Sequence, residues 1–323
     1  MDNRRTFLKK GSLALLALST SASLFPVRVH ARAELTVADP RTAAVIWYSQ
    51  TGNSERTGRL IAETFHKKGL NVTASDYRDF DRGSIGTYDL IVAGSPVYYY
   101  DVPENFKRWL KSLPEITGKP FAAYVTFGGP GGNQHNTVCT LAELLAEKGG
   151  VPVGMETFGN MSTFAITWSY GNEARVLEYR HLPDDMAYDR MRTYARLIVE
   201  RARQGQAMEI EKDCDLRDLI KNSPSIWGTK LFITHHTIDG SKCVRCGTCL
   251  KKCPVGAIDL EKNHVDTDAC IACLGCINNC PAGAVHMEFM GKKVYGYFVF
   301  LEENHIRIHL PEELLNRSVT VST

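Results

Sequence analysis

Past residue 42 the chain alternates short apolar runs with longer amphipathic stretches. Residues 43–48 (AAVIWY) are continuously apolar, the pattern of a strand buried on both faces. Residues 70–75, 88–93, 121–127 and 151–157 read as further strands, less uniformly apolar than the first. Between them, residues 55–68 place Leu60, Ile61 and Phe65 at helical spacing and stop at Gly69. A second helix is expected from Pro103, a residue favoured in the first turn, to Leu113. Residues 136–148 read as a third helix. Residues 184–204 read as a fourth, with Met191, Tyr194, Ala195, Ile198 and Val199 on one side. Strands alternating with helices imply right-handed crossovers and an α/β doubly wound parallel sheet.

In such sheets ligands bind beyond the carboxyl ends of the strands. Three polar or Gly-rich loops fall there, at 49–54, 94–100 and 127–133. The first, SQTGNS, has no Lys and is not a Walker-type loop. It offers the hydroxyls of Ser49, Thr51 and Ser54, the Asn53 amide and N–H groups at a helix start, a combination suited to a phosphate monoester. Alone it could be an ordinary strand–helix turn; beside an aromatic second loop and a Gly-rich third it reads as a binding site.

The strongest chemical signal lies further on. Cys243, Cys246, Cys249 and Cys253 follow C-x2-C-x2-C-x3-C-P, and Cys270, Cys273, Cys276 and Cys280 repeat it. That spacing resembles the ligand run of bacterial ferredoxins with two [4Fe–4S] clusters. It implies crossed ligation: Cys243, Cys246, Cys249 and Cys280 for one cluster, Cys270, Cys273, Cys276 and Cys253 for the other. Zinc sites with four thiolates normally use two separated knuckles rather than three-cysteine runs with a trailing Cys-Pro. Val255, Ala257, Ile258, Ala272, Ile277, Ala282 and Val285 are expected to keep water from the sulfurs. Cys139 and Cys214 fall outside the pattern and read as small apolar fillers.

Charge changes the picture only through the leader. Residues 1–33 hold six basic residues and one acid; the remainder has 32 basic and 35 acidic residues, a net of −3, which does not suggest a nucleic-acid surface. Asn3-Arg4-Arg5-Thr6-Phe7-Leu8-Lys9 resembles a twin-arginine export signal. A moderately apolar stretch (11–25) follows, then an Ala31-Arg32-Ala33 cleavage pattern. The expected location is periplasmic, with no stable membrane span after cleavage; an uncleaved N-terminal membrane anchor is the alternative. Export of an already folded chain would protect cluster cysteines, which an oxidising compartment would otherwise pair.

Residues 43–204 resemble a flavodoxin-like FMN-binding domain. The likeness rests on SQTGNS (49–54), GSPVY (94–98) and TFGGPGG (126–132). It implies strand order 2-1-3-4-5 and FMN. Ser49, Thr51, Gly52, Asn53 and Ser54 would hold the phosphate, Pro96, Val97 and Tyr98 would lie against the ring, and Phe127, Gly128 and Gly129 would meet its polar edge. Tyr99 and Tyr100 are alternative stackers. Residues 161–183 fit no flavodoxin element and read either as a segment touching the flavin edge or as a surface excursion. Residues 205–238 read as a linker, 239–288 as a small α+β two-cluster ferredoxin domain, and 289–323 as a C-terminal hairpin and tail with His305, Arg307 and His309 on a solvated strand face. Together the parts resemble flavodoxin–ferredoxin fusion proteins. The resemblance implies an exported iron–sulfur flavoprotein that exchanges electrons with a redox protein or a small acceptor. A flavin-dependent reductase of a quinone-like acceptor is the alternative, and a domain that has lost FMN a third.

Overall fold

The computed structural model describes residues 27–29, 34–37 and 39–315. The twin-arginine pattern, the apolar stretch and the cleavage pattern lie outside the described residues. A strand at Val27–Val29 (β1) is described, and it pairs antiparallel with Ile210–Lys212.

The apolar runs form the expected strands. They are Thr42–Trp47 (β2), Asn71–Asp76 (β3), Leu90–Pro96 (β4), Pro120–Gly128 (β5) and Val151–Asn160 (β6). They pair in parallel in the order β3-β2-β4-β5-β6, which is 2-1-3-4-5 counted from the first strand of this sheet. Side chains alternate across a strand, so β2 feeds two cores. Ala44, Ile46 and Tyr48 face Phe106, Leu110 and Leu141, from helices Glu104–Lys111 (α2) and Gln134–Ala146 (α3). Ala43, Val45 and Trp47 face Leu60 and Phe65 of Asn53–Lys67 (α1) and Met191 and Ile198 of Asp185–Gln204.

Residues 161–183 contain two short helices, Ile166–Ser169 (α4) and Glu173–Leu177 (α5), ahead of the long helix Asp185–Gln204 (α6). They serve mainly as a dock. Trp168 is buried, stacks on Phe300 with ring centroids 4.6 Å apart, and donates Nε1–H to the Tyr295 carbonyl at 3.0 Å.

The linker expectation for 205–238 does not hold. This stretch carries Ile210–Lys212 (β7), helix Ser223–Lys230 (α7) and strand Ile233–Ile238 (β8). β8 is the middle strand of a second, antiparallel sheet, so the C-terminal module begins before residue 239. Its other elements are helix Thr248–Lys252 (α8), strands Ile258–Asp259 (β9) and His264–Val265 (β10), helix Gly275–Asn278 (α9), and strands Val285–Phe289 (β11) and Lys292–Lys293 (β12). The order is β12-β11-β8-β10-β9.

The C-terminal hairpin is also corrected. Residues Tyr297–Glu303 form a helix (α10), because Tyr297 and Phe300, three positions apart, share one face and bury against Trp168. His305 lies in a turn with φ 54°, and residues 306–310 belong to no strand. His305, Arg307 and His309 are exposed, as the alternation suggested, without belonging to a strand. The chain ends its described course in Glu312–Leu315 (α11), back on the first domain, where Glu313 meets Arg192 at 2.8 Å.

Candidate functional site

The three loops at the carboxyl edge of the parallel sheet converge on a cleft of about 540 Å³. Ser49, Thr51, Asn53 and Ser54 line it from the first loop. The cap of α1 is Gly52, whose φ of 95° lies where glycine is favoured and which provides no side-chain cap. The first N–H groups of α1 therefore have no intrahelical partner and no cap. An anion at this position completes them and meets the positive end of the helix dipole. The loop is braced from within: Gly52 N–H donates to Ser49 Oγ at 3.1 Å, and Ser54 and Thr126 share a hydroxyl bond at 2.7 Å. Arg56, which the sequence reading passed over, donates from Nη2 to Asn53 Oδ1 at 2.5 Å. It brings a cation into the first turn of a loop without lysine.

The second loop supplies Pro96, Val97 and all three tyrosines, Tyr98, Tyr99 and Tyr100. Tyr98 and Asp101 exchange two backbone hydrogen bonds, both 3.0 Å, around a tight turn. Its central residues Tyr99 and Tyr100 both take positive φ, 48° and 64°. Such a turn normally uses Asn or Gly, and here the cost is offset by anchoring. Buried Asp101 accepts from Lys107 Nζ at 2.7 Å and Asn222 Nδ2 at 3.1 Å; Asn133 Nδ2 donates to the Tyr100 carbonyl at 2.8 Å. Tyr98 packs edge-on against Tyr48, and burial pushes its hydroxyl pKa upward, so the phenol stays neutral.

From the third loop Phe127 and Gly128 line the cleft, with Gly131 and Gly132. Gly52 and Gly129 are not among its lining residues; Gly129 N–H is bonded to the Asn160 carbonyl at 3.1 Å. Met161 to Phe164 add a further wall, as do Thr229 and Phe232 beyond the first domain.

The eight patterned cysteines gather as two sets. Cys243, Cys246, Cys249 and Cys280 line one small cavity with Ile238, Leu260, Ala282 and Val285. Cys253, Cys270, Cys273 and Cys276 line another with Val255, Ala257, Ile258 and His236. The long-range partner of each run is thus the fourth cysteine of the other. Backbone N–H groups point at the sulfurs: Ala257 to Cys253 at 3.2 Å, Ala284 to Cys280 at 3.2 Å and Ala272 to Cys270 at 3.4 Å. Each set surrounds a cavity; among the described residues no group of three or more His, Cys, Asp or Glu converges as on a single metal ion. Buried His236 lies 3.5 Å from Cys276 Sγ, with its pKa pushed down to about 4 by burial. Of the two remaining cysteines, Cys139 is buried and its thiol meets the Glu211 carbonyl at 3.2 Å. Cys214 is exposed and is not a core filler.

The two sites adjoin. Ala272 and Cys273 of the second set line the cleft itself. Tyr99 donates its hydroxyl to the Ala272 carbonyl at 2.9 Å, and Arg78 reaches the Lys251 carbonyl at 2.8 Å. By contrast Cys246 of the first set is exposed, beside exposed Val244.

Comparison with known proteins agrees with both halves. Residues 45–179 match the family model described as flavodoxin, and residues 235–282 match the 4Fe-4S dicluster domain. A short-chain flavodoxin associated with a PDU bacterial microcompartment is 19% identical, covering 50% of this chain and 98% of its own, with a TM-score of 0.40. Oxidised flavodoxin 1 from Bacillus cereus is 18% identical, covering 49% and 97%, with a TM-score of 0.38. Rubredoxin oxygen:oxidoreductase from Desulfovibrio gigas is 18% identical, covering 53% of this chain and 38% of its own, with a TM-score of 0.37. A search of curated proteins found no match. The flavodoxin domain implies FMN and the dicluster domain implies two [4Fe–4S] clusters. The residues present fit both groups: an uncapped helix start and neutral aromatic walls for the flavin, and two four-cysteine cavities with N–H donors for the clusters.

Proposed function

We propose that this chain, which joins a flavodoxin domain to a 4Fe-4S dicluster domain, is an exported iron–sulfur flavoprotein that couples one-electron to two-electron transfer between its clusters and FMN. When bound, the clusters supply single-electron chemistry and the flavin a carrier that takes one electron or two. The observation that carries the reading is Cys273, which belongs to a four-cysteine set and also lines the flavin cleft. No intervening domain separates the two groups.

The chain's own residues do the positioning. Ser49, Thr51, Asn53 and Ser54, with the α1 N–H groups, bind the phosphate end. Pro96, Val97 and the tyrosine turn hold the ring and narrow water access, with Phe127 and Gly128 at its edge. The inner set, Cys253, Cys270, Cys273 and Cys276, is screened from solvent by Ile258, Val265 and Leu274. The outer set, with exposed Cys246 and Val244, offers a contact point for a redox protein. Export rests on the twin-arginine pattern of the leader. Among the described residues no helix is long and apolar enough to cross a membrane.

One feature favours a second reading, a reductase of a small quinone-like acceptor. The cleft extends past the flavodoxin loops to Phe232 and Phe289, which could flank a flat apolar molecule beside the flavin. Anaerobic isolation of the folded protein tests the main reading. It predicts about eight irons, as many sulfides and one FMN per chain. Steady turnover of a soluble quinone without any protein partner would favour the reductase instead.

A further inference from the structure

Between the cleft and the inner cysteine set stands one side chain to which neither cofactor reading assigns a role. Gln50 belongs to the first loop and is 1% exposed. Its Nε2 lies 2.7 Å from the Lys252 carbonyl, 2.7 Å from Tyr48 Oη and 3.8 Å from Cys273 Sγ. Lys252 immediately precedes Cys253, another member of the inner set. The Gln50 carbonyl accepts from Asn279 Nδ2 at 3.1 Å, and Asn279 immediately precedes Cys280. Its side-chain Oε1 is buried with no hydrogen-bond partner. A buried unpaired amide oxygen lowers stability, so simple filling of this space would be better met by Met or Leu. The opposing backbone is shaped for it. A Cβ added at Gly275 would lie 2.5 Å from Gln50 Oε1, so glycine there is what admits the carboxamide.

We propose that Gln50 is a positioning residue for the inner cluster. The two side-chain N–H groups of Gln50 are taken up by the Lys252 carbonyl and Tyr48 Oη, which holds the carbonyl before Cys253 and leaves the positive end of the amide dipole 3.8 Å from Cys273 Sγ. Gln50 thereby sets the potential of that cluster and ties it to the phosphate loop. The inference rests on the reading that Cys253, Cys270, Cys273 and Cys276 hold a [4Fe–4S] cluster. A positive dipole end beside cluster sulfur, like a hydrogen bond to it, favours the reduced, more negative state and raises the potential. Gln50 reaches the outer set through its main-chain carbonyl, which accepts from Asn279 beside Cys280, so a change confined to its side chain is expected to leave the outer potential unmoved.

The test uses the full chain, reconstituted anaerobically, with EPR-monitored redox titration resolving the two clusters. Gln50→Met removes the dipole at similar volume. Gln50→Asn keeps a carboxamide but withdraws it from Cys273 by one methylene, and it alters no residue of the cysteine loops. Both variants are expected to keep wild-type iron content, with the inner potential shifted downward and the outer potential unchanged. Wild-type potentials for both clusters in both variants would overturn the proposal, as would equal shifts of the two. If Gln50→Met fails to assemble the inner cluster, Gln50→Asn decides alone, by the presence or absence of the selective shift. A wild-type protein without about eight irons would instead overturn the underlying cluster reading, a failure visible before any titration.

Discussion

At the scale of single residues, each patterned cysteine has a definite assignment. Cys280 lies four residues from Cys276 in sequence, yet it lines the cavity of Cys243, Cys246 and Cys249. Cys280→Ala should therefore abolish the outer cluster and leave the inner one, halving the iron and removing one of two EPR signals. Loss of the inner signal instead would refute the crossed assignment. The tyrosine turn gives a second test. Asp101 is almost fully buried and paired with Lys107 at 2.7 Å. Asp101→Ala leaves the ammonium without its main partner, a change that costs about 3–5 kcal/mol when an ion pair is buried. The expected result is a lower urea midpoint and weaker flavin retention; unchanged values of both would mean that the turn is held by its other contacts.

At the scale of elements, the parallel sheet was readable because its signal is local. A run such as 43–48 has no amphipathic alternative, and the loops after it are marked by Gly, Ser and Asn. The cysteine spacing was readable for the same reason. The failures share the opposite property. β8 reads Ile233-Thr234-His235-His236-Thr237-Ile238, with two histidines and a positive φ at His235, and becomes a strand only through its partners β10 and β11. α10 is rich in aromatic and β-branched residues, a composition that favours strands, and its helix is decided by packing on Trp168. Those contacts join residues far apart in sequence, and no window of sequence contains them. Trp168→Ala should thus cost about 3–5 kcal/mol, the usual range for losing a buried aromatic. It should also loosen the C-terminal module, detected as faster proteolysis between the domains with the flavin spectrum retained. Proteolysis at the wild-type rate would show that Trp168 is not the main clasp.

At the scale of the whole molecule, the described C-terminal residues return to the first domain. Glu313 is bonded to Arg192 at 2.8 Å and Lys67 at 3.2 Å, and chiefly the Arg192 guanidinium holds its carboxyl at about 2. A carboxylate with a folded-state pKa below its unfolded value stabilises the fold above the unfolded pKa, near 4.3, and loses that contribution as pH falls toward about 2. Because the pair is partly solvated, the contribution is put at about 1 kcal/mol or less. Glu313→Gln should lower stability at pH 7 and make no difference near pH 2; an equal effect at both would mean that charge is not the cause. The loops that form the cleft could be found from sequence, whereas their junction with the inner cysteine set could not. Gln50, Tyr99 and Arg78 reach Cys273, Ala272 and Lys251 across more than 170 residues of chain.

That junction is the central claim, and rapid anaerobic mixing with a one-electron reductant tests it most directly. In the loaded wild-type protein, bleaching of the flavin should follow cluster reduction at a rate independent of protein concentration, and Cys273→Ala should abolish this phase while leaving FMN bound. Bleaching that scales with protein concentration, or that survives loss of the inner cluster, would contradict the account.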